Sequence, residues 1–149
     1  SATGALVPVA ERGHGQNRLP FRDINAHEAP FNTGLIGLAL ASGTVQYSND
    51  IATDSRMAHW RAPVAGEIFH AAAAIPLYQN EQIVGLLNLY AADIDFFLVQ
   101  TEQHLLDEIG SDISYALDAM HLEAKRARTE EALRSEQQKL ASVAAVRPA

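Results

Sequence analysis

Six histidines are the first residues in this chain that could do chemistry: His14, His27, His59, His70, His104 and His121. A metal or catalytic site needs them grouped, as in H-E-x-x-H, where two imidazoles one helical turn apart share a face. None of the six has such a neighbour. His27-Glu28 lacks its second histidine, and His121 is followed by Leu122 where a phosphoacceptor helix places an acid. The chain contains no cysteine, which excludes a thiolate nucleophile, a thiolate metal ligand and a disulfide. No G-x-S-x-G occurs, and Ser111-Asp112 falls inside a helical pattern. Gly13-x-Gly15 lacks the third glycine and the Lys-Ser pair of a phosphate loop, so it reads as a hairpin turn. Asp93-Ile94-Asp95 is too short for a calcium loop, which spreads its ligands over about twelve residues.

What remains is a set of polar and aromatic groups suited to a pocket wall. Asn88 is an amide inside the apolar run Leu86-Leu87-Asn88-Leu89-Tyr90. Left buried and unpaired it would cost about 1–3 kcal/mol, so it needs backbone, water or a ligand. Tyr90 shares its face through the two-residue strand period. Tyr47, Asp50, His59, Trp60, Arg61 and His70 can join from neighbouring segments as ligand-pocket candidates, since small-molecule sites combine an apolar wall with a few converging polar groups. The other reading makes Trp60 and Tyr90 plain core and pairs Asn88 with backbone. On the residues alone both stand. No metal ligand set emerges, and no cofactor is assigned.

The element that must position these groups is Ala71–Ala92, two apolar runs around the polar segment Gln79-Asn80-Glu81-Gln82. It predicts a hairpin whose strands are covered on both faces, or have one packed face and one lining a cavity, with Ile75, Leu77, Ile83, Val84, Leu86 and Leu87 in the core. Before it, Thr3–Val9 and Asn17–Ile24 predict two short strands, and Thr33 to Gly43 bracket a short helix. Thr44–Ser48 predicts another strand, and residues 55–66 a short helix or irregular segment broken at Pro63. After it, Thr101 opens a long helix with the stripe Leu106, Ile109, Ile113, Leu117, Met120, Ala124, Ala127. Ile109, Ile113, Leu117 and Met120 are its candidate dimer or linker residues. Past Met120 charges of both signs take over, with Glu130 and Arg134 spaced for an ion pair and Leu133 and Leu140 seven residues apart. A solvated tail and a dimeric coiled coil are both open.

Composition sets the outer limits. With 149 residues, 48% of them hydrophobic, the chain can bury one real core. A net charge of −7 argues against a general nucleic-acid surface. No apolar run is long enough to span a bilayer, so neither membrane contact nor nucleic acid is expected, and the cysteine-free composition fits a cytoplasmic setting.

Three stretches together resemble a GAF domain: TGLIGLALASGTVQYSNDIATDSR at 33–56, AIPLYQNEQIVGLLNLY at 74–90, and the entry from Phe97 into the last helix. The resemblance implies an α+β fold with a GAF/PAS-like, mainly antiparallel central sheet of five to six strands, order 2-1-5-4-3, flanked by helices. Residues 1–122 would be the sensory domain and 123–149 a charged helical linker to an output module. The helix that usually precedes the first strand of the family has no counterpart here. Covalent bilin is disfavoured without a cysteine. Cyclic nucleotide is disfavoured because only Phe97 and Glu102 survive of the motif that binds it. The sulfoxide reductases built on this fold use cysteines, so the resemblance points to a regulatory chain and not to an enzyme. The implied function is small-molecule sensing in a signal-transduction protein, a sensor histidine kinase or cyclic-di-nucleotide enzyme, as a homodimer through the last helix. The alternative is a dimerisation module with no ligand.

Overall fold

The computed structural model describes residues 3–13, 23–60 and 69–145, with backbone alone for Trp60 and Ala145. Most of the expected strand over Asn17–Ile24, together with His14, Arg61 and Pro63, lies outside the described residues. Two strands organise the rest, β4 (Ala71–Gln79) and β5 (Gln82–Ala91), paired antiparallel. Asn80 and Glu81 turn between them with φ of 50° and 62°. Two left-handed residues in a two-residue loop match the twist of the strands they join. Asparagine tolerates that region, and glutamate adopts it at a cost.

The register slips once. Leu77 faces Gly85 but Tyr78 faces Ile83, so Val84 is the extra residue of a bulge. Val84 is expected in the core and is instead half exposed, because the bulge turns it off the packed face. The Tyr78 N–H donates to the Ser114 hydroxyl at 2.9 Å.

Strand β3 (Gln46–Ser48) pairs with the other edge of β4, giving the order β3-β4-β5. Strands β1 (Ala5–Leu6) and β2 (Ile24–Asn25) form a separate two-stranded ribbon. The expected order 2-1-5-4-3 in one sheet is met in part. The neighbours 2-1 and 5-4-3 are present, but among the described residues no ladder joins β1 to β5. A cleft of about 190 Å³ lies between Gly4–Leu6 and Ile83–Gly85, and a regular stretch of two residues in β1 is too short to bridge it.

Every residue from Ala71 to Pro76 is buried, so β4 is covered on both sides. Ala72 and Ala74 pack with Leu35, Ile36, Ala39, Ile51 and Met57. Ala71, Ala73 and Ile75 pack with Phe97 and Leu106 on the opposite face. The first group comes largely from α1 (Leu35–Ser42) and a 3-10 helix at Ser55–Trp60. Helix α1 ends on Gly43 at φ 70°, and the Gly43 carbonyl accepts the Tyr78 hydroxyl at 2.6 Å. Thr33 does not cap it: its hydroxyl donates to the Pro30 carbonyl, and Gly34 takes the cap position.

The second face belongs to α2 (Gln100–Ala145), which at 1.5 Å per residue is roughly 70 Å long. It runs unbroken through the expected boundary at 122/123. Gly110 sits where a Cβ would come within 2.8 Å of Ile75 Cγ2, which sets how closely helix and strand approach. Beyond His121 every described side chain of α2 is exposed. Arg126 pairs with Glu130 at 3.1 Å, in place of the expected Glu130–Arg134 pair. No helix among the described residues is both long and apolar enough to cross a membrane.

Two substitutions test this packing. Gly110→Leu should destabilise the chain by about 1–3 kcal/mol in urea unfolding, because the added carbons push α2 off Ile75. Glu81→Gly should stabilise it by up to about 1 kcal/mol, since glycine accepts the left-handed turn without strain.

Candidate functional site

The pocket side of β4 is built by the strand period. Ala72 faces Tyr90 and Ala74 faces Asn88 across the ladder, so these four side chains share one surface. Over that surface Leu35, Ile36 and Met57 close a cavity of about 10 Å³ beside Asn88 and Tyr90, the room of a single water. The hollow next to Asn88 is thus water-sized, far below the space of a small-molecule pocket. Asn88 makes its ladder contact to Ala74 through backbone, and its side-chain amide makes no hydrogen bond to another described residue. The Tyr90 ring lies 5.6 Å from that of Phe69, and burial raises the pKa of its phenol.

Of the eight candidate residues, then, the structure brings Asn88 and Tyr90 to one cavity. Tyr47 lies on the opposite face, its ring 6.3 Å from Phe97 in the cluster under α2. His59 stands edge-on to Phe31 with ring centroids 5.2 Å apart, and desolvation lowers its pKa. His70 is exposed at the foot of β4, and its backbone ties Ile51 to Ala91. Trp60 closes the 3-10 helix with its backbone, and Arg61 lies outside the described residues. Leu35, Ile36 and Met57 line the cavity without having been singled out, because apolar residues on a short helix carry no mark that separates lining from core.

Asp50 belongs to a run of turn-building polar groups at 49–56. Its carboxylate accepts the Ala52 N–H at 3.0 Å and the Thr53 hydroxyl at 2.8 Å. Asn49 Oδ1 accepts the Phe97 N–H at 2.8 Å, pinning the loop before α2. Asp54 holds Arg56 through two side-chain contacts of 3.0 and 2.7 Å, and Arg56 reaches on to the Tyr47 carbonyl at 2.8 Å. The hydrogen bond from Arg56 keeps the Asp54 carboxyl below its ordinary 3.8, at about 2. This network locks the 3-10 helix, and with it Met57, against β3.

A three-strand antiparallel sheet, with short helices on one face and a long terminal helix on the other, makes an α+β fold. The GAF domain family model matches residues 2–118, and the chain belongs to that family. No curated protein matches the sequence.

Solved structures agree in fold. The free methionine-R-sulfoxide reductase from Neisseria meningitidis, in complex with its substrate, superposes with a TM-score of 0.61 at 18% identity, covering 81% of this chain and 64% of that one. The reduced form of fRMsr from Staphylococcus aureus gives 0.57 at 18% identity, covering 76% of this chain and 64% of that one. The GAF domain region of a putative membrane protein from Geobacter sulfurreducens gives 0.53 at 21% identity, covering 66% and 62%. The chain thus spans a little under two thirds of each. These neighbours correct the expectation of a chain with no enzymatic role: an enzyme named for its action on a free amino-acid sulfoxide carries this fold.

The Asp54–Arg56 pair has a pH signature. A carboxyl whose folded pKa of about 2 lies below its ordinary 3.8 stabilises the fold above pH 3.8, and that contribution is lost as pH falls toward 2. Asp54→Asn should lower stability at neutral pH and flatten the acid limb in that window, as read by urea unfolding at stepped pH.

Proposed function

We propose that this GAF domain is the small-molecule-responsive module of a signal-transduction protein, with the ligand side of β4 read out by α2. The observation that carries the reading is that one strand separates the two. Ala72, Ala73 and Ala74 line the Asn88 cavity, and Ala73, with Ala71 and Ile75, also belongs to the cluster that holds Leu106 of α2 and Phe97 of its approach. A ligand entering a water-sized space must displace its lining, and a displaced β4 moves against α2 with no intervening layer. Such coupling needs a ligand of different affinity for two arrangements, typically by about 1–3 kcal/mol. The Asn88 amide supplies the polar contact. The parent class of this reading, a sensor histidine kinase or cyclic-di-nucleotide enzyme, comes from the likeness of the charged helix to the linkers of such proteins.

A second reading is a dimerisation module with no ligand. It is favoured by the small cavity and by the exposure of every described side chain of α2 beyond His121.

Thermal shift and native mass spectrometry of the full chain against a metabolite panel separate the two. The panel includes free methionine-R-sulfoxide, whose consumption is followed alongside. On the sensor reading one compound raises the melting temperature and slows amide exchange over residues 105–118, and Asn88→Leu abolishes both while leaving the fold intact. A panel with no binder at millimolar concentration, beside a concentration-dependent dimer, overturns the sensor reading for the second.

A further inference from the structure

The large apolar residues on the outer side of α2 fall in one frame. Leu105, Tyr115, Leu122, Leu133, Leu140 and Val143 are all more than half exposed. Stepping by alternate threes and fours, all six occupy the two seam positions of a heptad repeat. At 3.6 residues per turn, the stripe from Tyr115 to Leu140 runs along the side of α2 away from Leu106 and Gly110, which pack on β4. Ile109, Ile113 and Leu117, expected as dimer residues, are therefore turned toward the domain, and Met120, though exposed, falls on that same side by helical rotation. Between Ala119 and Val143 the stripe has three and a half heptads, interrupted by Arg126, Thr129 and Glu136.

These interruptions distinguish the possible partners. Paired parallel with a second copy, the seam would set Arg126 against Arg126 and Glu136 against Glu136. Paired antiparallel about an axis at Glu131, no layer sets like charges together. Arg126 meets Glu136 of the second copy, Leu122 meets its Leu140, Leu133 meets its Thr129, and Ala119 meets its Val143. We infer that the free half of α2 is a self-complementary surface that binds the same segment of a second copy in antiparallel sense.

The flanking charges favour this less. Antiparallel pairing brings Glu130 near Glu130 and Lys125 near Lys139 of the second copy, whereas parallel pairing would match Lys125 with Glu130. Those groups stay in water and are screened. Charges in the seam are not, so the seam decides the sense. Arg126 already holds Glu130 within its own helix at 3.1 Å, and its remaining guanidinium donors are enough to serve both.

This inference rests on the dimerisation reading, and its test separates the two. Sedimentation equilibrium of the full chain should show a dimer. Arg126→Glu should weaken it by roughly tenfold or more, since a seam charge then faces its like. The double variant Arg126→Glu/Glu136→Arg should restore it, because only antiparallel layers re-pair after the swap. The chain has no cysteine, so single introduced thiols report cleanly. Leu122→Cys mixed with Leu140→Cys should yield the mixed disulfide dimer, and Leu122→Cys alone should yield little. A dimer in which Leu122→Cys links to itself, with no rescue by the charge swap, overturns the antiparallel sense and keeps the dimer. A chain that stays monomeric at all concentrations overturns both.

Discussion

A strand of alanines closed on both sides is the constraint from which the rest of this domain follows. Ala71 to Ala74 offer almost no side-chain bulk, so α1 and α2 both come close to the backbone of β4, and the sheet stays thin. The burial on either face comes from the partners, Leu35, Ile36 and Met57 above and Phe97 and Leu106 below. Packing of this kind is intolerant of added volume in a way that a leucine-rich strand is not, because there is no flexible side chain to yield. Gly110 extends the same logic into the helix, where even a methyl group would meet Ile75.

Polar contacts then fix the helix in register along the strand. The Ser114 hydroxyl accepts the Tyr78 N–H, the Gln79 amide donates to the Leu117 carbonyl, and Asp118 accepts the Asn80 N–H at the hairpin turn. All three lie at the turn end of the hairpin, where the bulge at Val84 has disturbed the ladder. The grip on α2 therefore ends at Asp118, and the exposed remainder of the helix begins one turn later. On the other face the carboxylates and amide at 49–54 do the comparable work for the loops, tying the 3-10 helix to β3 and the approach to α2 to Asn49.

This division explains what the candidate site looks like. Polar residues between strands β3 and β4 were read together as possible ligand contacts because they crowd one stretch of chain. Asp50 instead completes a turn that would otherwise leave a backbone N–H unpaired, as Asp54, never a candidate, also does, which is the common fate of aspartate in such a run. Asn88 and Tyr90 differ in that strand geometry alone places them, and there the two-residue period was sufficient.

The sequence by itself determined the hairpin at Gln79–Gln82, the glycine that ends α1, the shared face of Asn88 and Tyr90, the long helix after Phe97 and the GAF family. Each of these is local, set by periodicity, turn chemistry or a contiguous motif. Tertiary structure alone decided the size of the cavity, the exposure of Val84, the separation of β1 from β5, and which side of α2 is spent on the domain. The physical reason is the same in each case. Whether an apolar residue fills space or borders it, and which of two helical stripes is covered, depends on how closely distant segments approach, and spacing along the chain carries no record of that distance.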